Sequence, residues 1–283
     1  MQTMTSGPST QKLSAEDSAS SAREALSGGL RINYADAEAG EPALLLLPGW
    51  CGSRAVFSHL AAQCSTHRRT LMLDWRGHGQ SESPAGDFGN EDLVQDALAV
   101  IESSGASSVI PVALSHAGWV ALELRRRLGV RIPKLVLLDW IITDPPPPFL
   151  GALTALQSQE TWEQTRAQLF ALWLHGVEHA EVIRYVRKDM ASYGFPMWAR
   201  AGREISAAYA QQRSPLQALA QLTPPIPTLH LYSQPNEPGY FAAQQSFADA
   251  HPWFRVHKLT APSHFPCIEA ADELSAAIES FVA

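Results

Sequence analysis

The feature that most constrains this chain is a series of short, mainly apolar segments that end in polar or glycine-rich turns. The first is ALLLLPGW at Ala43–Trp50, a continuous apolar run closed by Pro-Gly. Such a run is typical of a strand buried on both faces, in the middle of a sheet covered by helices. Further segments that we interpret as strands lie at Thr70–Gly79, Val109–Leu114, Lys134–Trp140, Thr228–Pro235 and Phe254–Thr260.

Helical segments separate these strands, notably Glu91–Ser104 and Trp119–Leu128. Strands that alternate with helices predict an α/β fold with a mostly parallel, doubly wound sheet. A chain of 283 residues with 46% hydrophobic residues is long and apolar enough for one large domain, or for one domain with an insertion.

An insertion is indicated after the fourth strand, where TDPPPPF at Thr143–Phe149 forms a stiff segment. From about Leu150 to Leu219 the pattern is helical only. We therefore predict an all-helical cap over residues 142–219, inserted between core segments 30–141 and 220–283. Most of its aromatic residues should be core, and some should line a pocket: Trp162, Phe170, Trp173, Tyr185, Tyr193, Trp198 and Tyr209.

The composition of the N-terminal segment and the number of cysteines support two further expectations. Residues 1–29 are rich in small and polar residues and lack a secretory signal, which predicts a disordered arm, although a short helix over Ser14–Leu26 is an alternative. Cys51, Cys64 and Cys267 are odd in number and far apart, so we expect buried or partly buried free thiols in a reducing, cytoplasmic compartment.

Charge and spacing exclude several classes of function. A net charge of −7 argues against nucleic acid or an anionic membrane as partner, and no run of apolar residues is long enough to span a bilayer. No HExxH, paired CxxC or facial His/His/carboxylate spacing is present, so we expect no metal. We expect a small-molecule ligand and a monomer or weak homodimer.

The sequence VALSHAGWVA at Val112–Ala121 places Ser115 between a strand and a helix. This is the context of the nucleophile elbow of α/β-hydrolases, a sharp turn that needs small neighbours. Ala113, Ala117 and Gly118 supply them, although Ala113 stands where that motif has its first glycine.

Two further residues follow strand ends, where functional groups of α/β sheets collect. Asp139 ends the fourth strand, and His264 lies between the last strand and the last helix, so the order Ser115, Asp139, His264 is that of α/β-hydrolase triads. Glu237 is the alternative acid. His78 in DWRGHGQS is interpreted as structural.

The turn at Pro48–Trp50 follows the first long strand. In this fold, that loop and the residue after the serine each give a backbone N–H to an oxyanion hole. We expect these donors at Trp50 or its neighbour and at His116. The side chain of His116 could face either the ligand or the protein.

Six motifs occur in a characteristic order: LLPGWC, DWRGHG, SHAGWV, LLDW, YSQPNEP and HPWF followed by SHFP. Over about Arg31–Ala283 the chain resembles the cofactor-independent 2,4-dioxygenases of 3-hydroxy-4(1H)-quinolones. The resemblance implies an α/β-hydrolase fold that uses no metal or flavin. It implies an enzyme that opens an N-heteroaromatic ring with O2, releasing carbon monoxide and an N-acylanthranilate.

The resemblance also implies roles for individual residues. His264 would take the proton of the substrate 3-hydroxyl, and Asp139 would orient its imidazole. The N–H groups of Trp50 and His116 would hold the 4-oxo group, and the Trp50 carbonyl would accept the ring N–H. Ser115 would be a substrate contact rather than a nucleophile.

Trp173 in the cap and the side chains of Trp50 and His116 complete the expected substrate contacts. Gly52, Ser53 and Arg54 depart from the histidine-bearing stretch of the quinaldine enzyme, which leaves the substrate's 2-substituent open: hydrogen, methyl or a longer alkyl chain such as the 2-heptyl group of the Pseudomonas quinolone signal.

Two other functions share these residues. A serine hydrolase would use Ser115, Asp139 and His264 as a covalent triad. A non-catalytic binding module on the same fold would tolerate the loss of Ser115 or His264, and both are present in register.

Overall fold

The computed structural model of this chain describes residues 21–37 and 40–283. Eight strands form one sheet in the order β1-β2-β4-β3-β5-β6-β7-β8. The pairs β1–β2 and β2–β4 are antiparallel and all other pairs are parallel. The strands are β1 (Ser21–Ser27), β2 (Leu30–Ala37), β3 (Ala43–Leu47), β4 (Thr70–Leu73), β5 (Val109–Leu114), β6 (Leu135–Leu138), β7 (Thr228–Tyr232) and β8 (Phe254–Lys258).

The helices of the described residues either flank this sheet or lie between β6 and β7. Those outside the β6–β7 segment are α1 (Ser58–Cys64), α2 (Asn90–Ser104), α3 (Ala117–Leu128), α9 (Pro238–Ala250), α10 (Pro266–Glu269) and α11 (Ala271–Val282). Those between β6 and β7, here called the cap, are α4 (Pro147–Ala155), α5 (Trp162–Trp173), α6 (Ala180–Arg184), α7 (Phe195–Gln212) and α8 (Pro215–Ala220).

All six predicted strands and both predicted helices are present, which confirms the α/β fold. Every residue of Ala43–Leu47 in β3 is fully buried, as expected for a strand covered on both faces. The parallel register aligns Leu47 with Ala113 and Leu114 with Leu138. The turns that follow β3, β5 and β6 therefore emerge side by side at one edge of the sheet.

The prediction of a disordered arm over residues 1–29 is wrong for Ser21–Ser27, and so is the alternative helix over Ser21–Leu26. These residues form β1, which pairs with β2 across Gly28 and Gly29. Both glycines have positive φ, which suits a two-residue hairpin turn. Backbone pairing with β2 and packing on α2 hold this strand in place. The strand can therefore form with few apolar residues. The rest of the predicted arm lies outside the described residues.

Two other expectations concern thiols and membrane spans. Cys51, Cys64 and Cys267 are free and buried, as predicted. Burial raises the pKa of each thiol. In the part of the chain that the structure describes, no helix is long and apolar enough to cross a membrane.

Candidate active site

Ser115 stands in a sharp turn between β5 and α3. Its φ is +55°, and its backbone N–H donates to the carbonyl of Leu138 at 2.7 Å. A side chain at Gly118 would collide with the ring of Trp140, so the first turn of α3 tolerates only glycine there. The strained backbone at Ser115 and the small residue at Gly118 are what a nucleophile elbow requires. The turn places Ser115 at the end of the sheet.

Asp139 holds His264. The Oδ1 atom of Asp139 lies 2.8 Å from Nδ1 of His264, and Oδ2 accepts the backbone N–H groups of Ser233 at 2.6 Å and Gln234 at 3.2 Å. Asp139 is only 2% exposed. With Nδ1 donating to the carboxylate, the Nε2 atom of His264 is the one left to accept a proton.

The alternative acid, Glu237, does not take this position. It is exposed at the N-terminus of α9, whereas His264 is bonded to Asp139. The structure therefore decides the pairing that the sequence left open.

Trp173 of the cap covers the histidine. Its ring stacks on the His264 imidazole, with centroids 5.3 Å apart and planes 14° apart. Phe265 meets the imidazole edge-on at 5.1 Å. The side chain of His264 is 15% exposed, packs against these two aromatic rings and lines the cavity.

The segment Pro48–Gly52, here called the oxyanion turn, is fixed by the core. Nε1 of Trp75 donates to the Pro48 carbonyl at 2.7 Å, and the Cys51 N–H donates to Nε2 of His78 at 3.2 Å. Burial lowers the pKa of His78 to about 4, so this imidazole is a neutral acceptor. The prediction that His78 is structural is thus confirmed.

The backbone N–H groups of Trp50 and His116 have no protein acceptor among the described residues. Both residues line the same cavity as Ser115. The Cys51 N–H is already used by His78, whereas the Trp50 N–H remains available. From the sequence, the oxyanion donors are expected at Trp50 or its neighbour and at His116, and this assignment stays a prediction.

The His116 side chain is almost fully buried and neutral. Its Nδ1 accepts the indole N–H of Trp140 at 3.3 Å, and its ring stacks on Phe149 at 5.6 Å. Burial, with a smaller contribution from the charge of His264, lowers its pKa to about 3. The sequence left its direction open, and the structure places it between the core and the cap, on the cavity wall.

A buried polar network behind Asp139 escaped the sequence analysis. Nδ1 of His230 donates to Oε1 of Gln244 at 2.6 Å, and its Nε2 accepts the N–H of Trp140 at 3.4 Å. Tyr240 donates to the Trp140 carbonyl at 2.6 Å. Together these contacts fix the backbone on the C-terminal side of Asp139. The available signal was a histidine inside the apolar strand TLHLY, because a buried polar group needs a partner.

One cavity of about 1260 Å³ between core and cap joins these groups. All six predicted site residues line it: Trp50, Ser115, His116, Asp139, Trp173 and His264. Much of the remaining wall is apolar and comes from the cap, including Leu153, Leu156, Leu169, Leu172 and Ile205. No group of three or more His, Cys, Asp or Glu side chains in the described residues is placed to hold a metal ion.

The chain is similar in sequence to proteins of known fold and function. A model of the alpha/beta hydrolase fold matches residues 42–190, more than half of the chain. A 2-heptyl-3-hydroxy-4-quinolone dioxygenase of Rhodococcus erythropolis is 35% identical over 258 residues, which are 90% of this chain and 96% of the relative. A 1H-3-hydroxy-4-oxoquinoline 2,4-dioxygenase of Pseudomonas putida is 34% identical over 242 residues, 85% of this chain and 91% of the relative.

A solved structure gives the same result. An AqdC variant in complex with its substrate, from work on the recognition and ring cleavage of the Pseudomonas quinolone signal, superposes with a TM-score of 0.88 and 33% identity. The match covers 92% of this chain and 98% of that one. The fold, the His264–Asp139 pair and these relatives agree: the chain belongs to the 3-hydroxy-4-quinolone dioxygenase family of the α/β-hydrolase fold.

Proposed function

We propose that this chain is a cofactor-independent 2,4-dioxygenase of 2-alkyl-3-hydroxy-4(1H)-quinolones, with His264 and Asp139 as its catalytic pair. The observation that carries the proposal is the geometry of His264. Its Nδ1 is fixed by Asp139 at 2.8 Å, its face is covered by Trp173, and it borders a largely apolar cavity. An imidazole held in this way at the wall of a cavity that accommodates an aromatic ring suits the abstraction of a proton from a heteroaromatic hydroxyl.

The first step is transfer of the 3-hydroxyl proton to Nε2 of His264. The imidazolium that results faces the Asp139 carboxylate, whose attraction stabilises it. Because Ser233 and Gln234 hold the other carboxylate oxygen, Asp139 cannot rotate away as the charge develops.

Negative charge then spreads from the 3-oxygen to the 4-oxo group. The unused N–H groups of Trp50 and His116 would stabilise it, as in an oxyanion hole. The His116 imidazole stays neutral, since burial lowers its pKa to about 3. It therefore adds no competing acid to the site, and Ser115 serves as a polar contact.

The electron-rich anion is the reductant of O2. It transfers one electron to O2, and the two radicals combine at C2 to give a peroxide. The terminal peroxide oxygen closes on C4 to form a cyclic peroxide, and the O–O, C2–C3 and C3–C4 bonds then break, which leaves one oxygen on C2 as the acyl carbonyl and the other on C4 in the carboxylate. C3 and its oxygen leave as carbon monoxide, and both atoms of O2 remain in the N-acylanthranilate. Since the substrate supplies the electron, the residues of this chain need only bind, orient and deprotonate it.

The apolar cap wall favours a 2-alkyl chain over hydrogen. The quinolone ring at His264 occupies only part of a cavity of about 1260 Å³, and the leucines of α4 and α5 line the remainder. Three of the relatives are named for 2-heptyl-3-hydroxy-4-quinolone. A heptyl chain buried there gains about 0.8 kcal/mol per methylene, so we place the 2-heptyl compound first among the substrates.

The test is anaerobic substrate binding followed by O2 addition, with no added metal and after treatment with EDTA. We expect one O2 consumed and one CO released for each 2-heptyl-3-hydroxy-4(1H)-quinolone cleaved. A fluorophosphonate probe should leave Ser115 unlabelled. Covalent labelling of Ser115 together with ester hydrolysis and no O2 uptake would show a serine hydrolase instead.

A further inference from the structure

We propose that Tyr185 of the cap is a positioning residue, which sets the oxyanion turn through a contact between its hydroxyl and Gly52. The inference rests on the proposed function, because it concerns how the N–H of Trp50 is aimed at the 4-oxo group. None of the sequence motifs singled out Tyr185 for this role.

Tyr185 occupies an unusual place in the cap. It begins a single π-helical turn, Tyr185–Asp189, that continues α6. Turns of this kind are rare and frequently lie at functional sites. The side chain is 2% exposed, lines the cavity, and meets the ring of Phe265 edge-on at 5.3 Å, directly beside His264. Burial raises the pKa of its hydroxyl well above the ordinary tyrosine value, so the group stays protonated.

The Tyr185 hydroxyl limits the space beside the Cα atom of Gly52. A Cβ at Gly52 would fall far inside contact distance of the Tyr185 hydroxyl oxygen, but it would lie 3.7 Å from Cζ of the same ring and 3.3 Å from the Gly49 carbonyl. The backbone of Gly52 is outside the positive-φ region, so its conformation alone does not require glycine. The hydroxyl oxygen of Tyr185 is therefore the nearest obstacle to a side chain at position 52.

This contact closes the side of the oxyanion turn that the core leaves open. Trp75 and His78 hold Pro48 and Cys51, and Phe88 stacks on the Trp50 ring at 5.9 Å. Cys51 has a φ of +57°, a strained conformation that persists only where its surroundings impose it. The Tyr185 hydroxyl packed on the next residue supplies that constraint from the cap, and it sets the direction of the Trp50 N–H.

The consequence for the reaction is a requirement on distance. An oxyanion donor must lie about 2.7–3.1 Å from the developing charge. Removing the hydroxyl, as in Tyr185→Phe, frees the turn to shift towards the cap. We expect kcat to fall about threefold to tenfold while KM changes little, because the contact acts in the transition state more than in binding.

The test is a double-mutant cycle on Tyr185 and Gly52. Gly52→Ala should lower kcat by at least about thirtyfold, since the new methyl displaces the turn from the hydroxyl. In Gly52→Ala/Tyr185→Phe the methyl keeps only the contacts at 3.3 Å with the Gly49 carbonyl and at 3.7 Å with Cζ, and kcat should recover to within about threefold of Tyr185→Phe alone. Gly151→Ala is the matched control, because an added Cβ there has open space, and it should behave as wild type.

A second readout separates positioning from a merely structural role. The pKa of the bound substrate's 3-hydroxyl, followed anaerobically by the absorbance of the quinolone anion, should rise by about one unit in Gly52→Ala, a tenfold weaker stabilisation of the anion. The value should return towards that of Tyr185→Phe in the double variant. A pKa unchanged in Gly52→Ala would overturn the proposal.

The remaining outcomes are decisive as well. A double variant as impaired as Gly52→Ala would show that the hydroxyl is not the coupling atom. Should Gly52→Ala fail to fold, a folded double variant with kcat near that of Tyr185→Phe supports the coupling, and an unfolded one overturns it. If the wild type does not cleave quinolones, the proposed function fails by itself. The cycle is then read from Tm, where recovery in the double variant upholds the contact and its absence overturns it.

Discussion

The two ends of the cavity are built by opposite means. At the polar end, around Asp139 and His264, each functional group is held by hydrogen bonds from residues at the end of the sheet. At the apolar end, the leucines of α4 and α5 are held by packing alone, and Leu172 is 63% exposed. Hydrogen bonds fix direction, whereas apolar contact is non-directional and roughly proportional to buried area.

The difference teaches which property each region controls. Proton transfer and charge stabilisation depend on distances that must be right within a fraction of an ångström. Recognition of an alkyl chain depends on volume and tolerates adjustment. Substitutions at the polar end should therefore change kcat, and substitutions in the cap wall should change which substrate is preferred.

The largest effect is expected from His264→Ala. Loss of the general base should lower kcat by about 10²–10⁴-fold. Activity should recover in part at alkaline pH, where the solution already deprotonates the 3-hydroxyl. His257→Ala, at an exposed histidine of β8, is the control and should retain wild-type kinetics. Comparable activity in both variants would remove His264 from the mechanism.

Asp139→Asn should come next. An amide at this position can no longer accept the Nδ1–H of His264 with a full negative charge, and it favours the wrong tautomer. We expect kcat to fall about tenfold to a hundredfold, the kinetic equivalent of a hydrogen bond to a charged group worth roughly 1.5–3 kcal/mol. Glu237→Gln should be silent in the same assay, and the reverse pattern would show that the acid was assigned wrongly.

The cap wall is tested by Leu169→Trp, which fills part of the apolar end. The ratio of kcat/KM for the 2-heptyl substrate to that for the 2-methyl substrate should fall about tenfold, since two methylenes that lose burial forfeit about 1.6 kcal/mol. Leu169→Met, which nearly preserves volume, is the control. An equal loss for both substrates would mean that this wall belongs to the polar end.

The smallest effect concerns stability on acidification. Burial lowers the pKa of His78 and His230 to about 4 and that of His116 to about 3. Below a pH of about 6.5 these histidines bind protons in the unfolded chain but stay neutral in the folded core. The free energy of unfolding should therefore fall as pH drops from about 7 to 5, measured by urea denaturation.

The contribution of one of these histidines can be isolated. In His230→Gln the dependence of the free energy of unfolding on pH should be shallower by up to one proton in that interval. The exposed His257→Gln should leave the slope unchanged. Equal slopes in wild type and His230→Gln would show that His230 is protonated in the folded state.

The sequence by itself determined the six strands β3 to β8 of the eight-stranded sheet and the order of the reactive residues. Strands such as Ala43–Leu47 can be predicted because burial on both faces requires a continuous run of apolar residues. The elbow at Ser115 and the places of Asp139 and His264 followed from strand ends, since parallel strands bring their carboxyl ends to one edge. The resemblance of the motifs then indicated the family.

The tertiary structure decided what depends on pairing across the chain. Strand β1 has too few apolar residues to be predicted from a hydrophobic pattern. Hydrogen bonds to β2 hold it in place instead. The choice of Asp139 over Glu237, the network of His230, Gln244 and Tyr240, and the contact of Tyr185 with Gly52 each join residues distant in sequence. A local pattern records the burial of a residue, but hydrogen bonds and close contacts are set by three-dimensional position, which no local pattern contains.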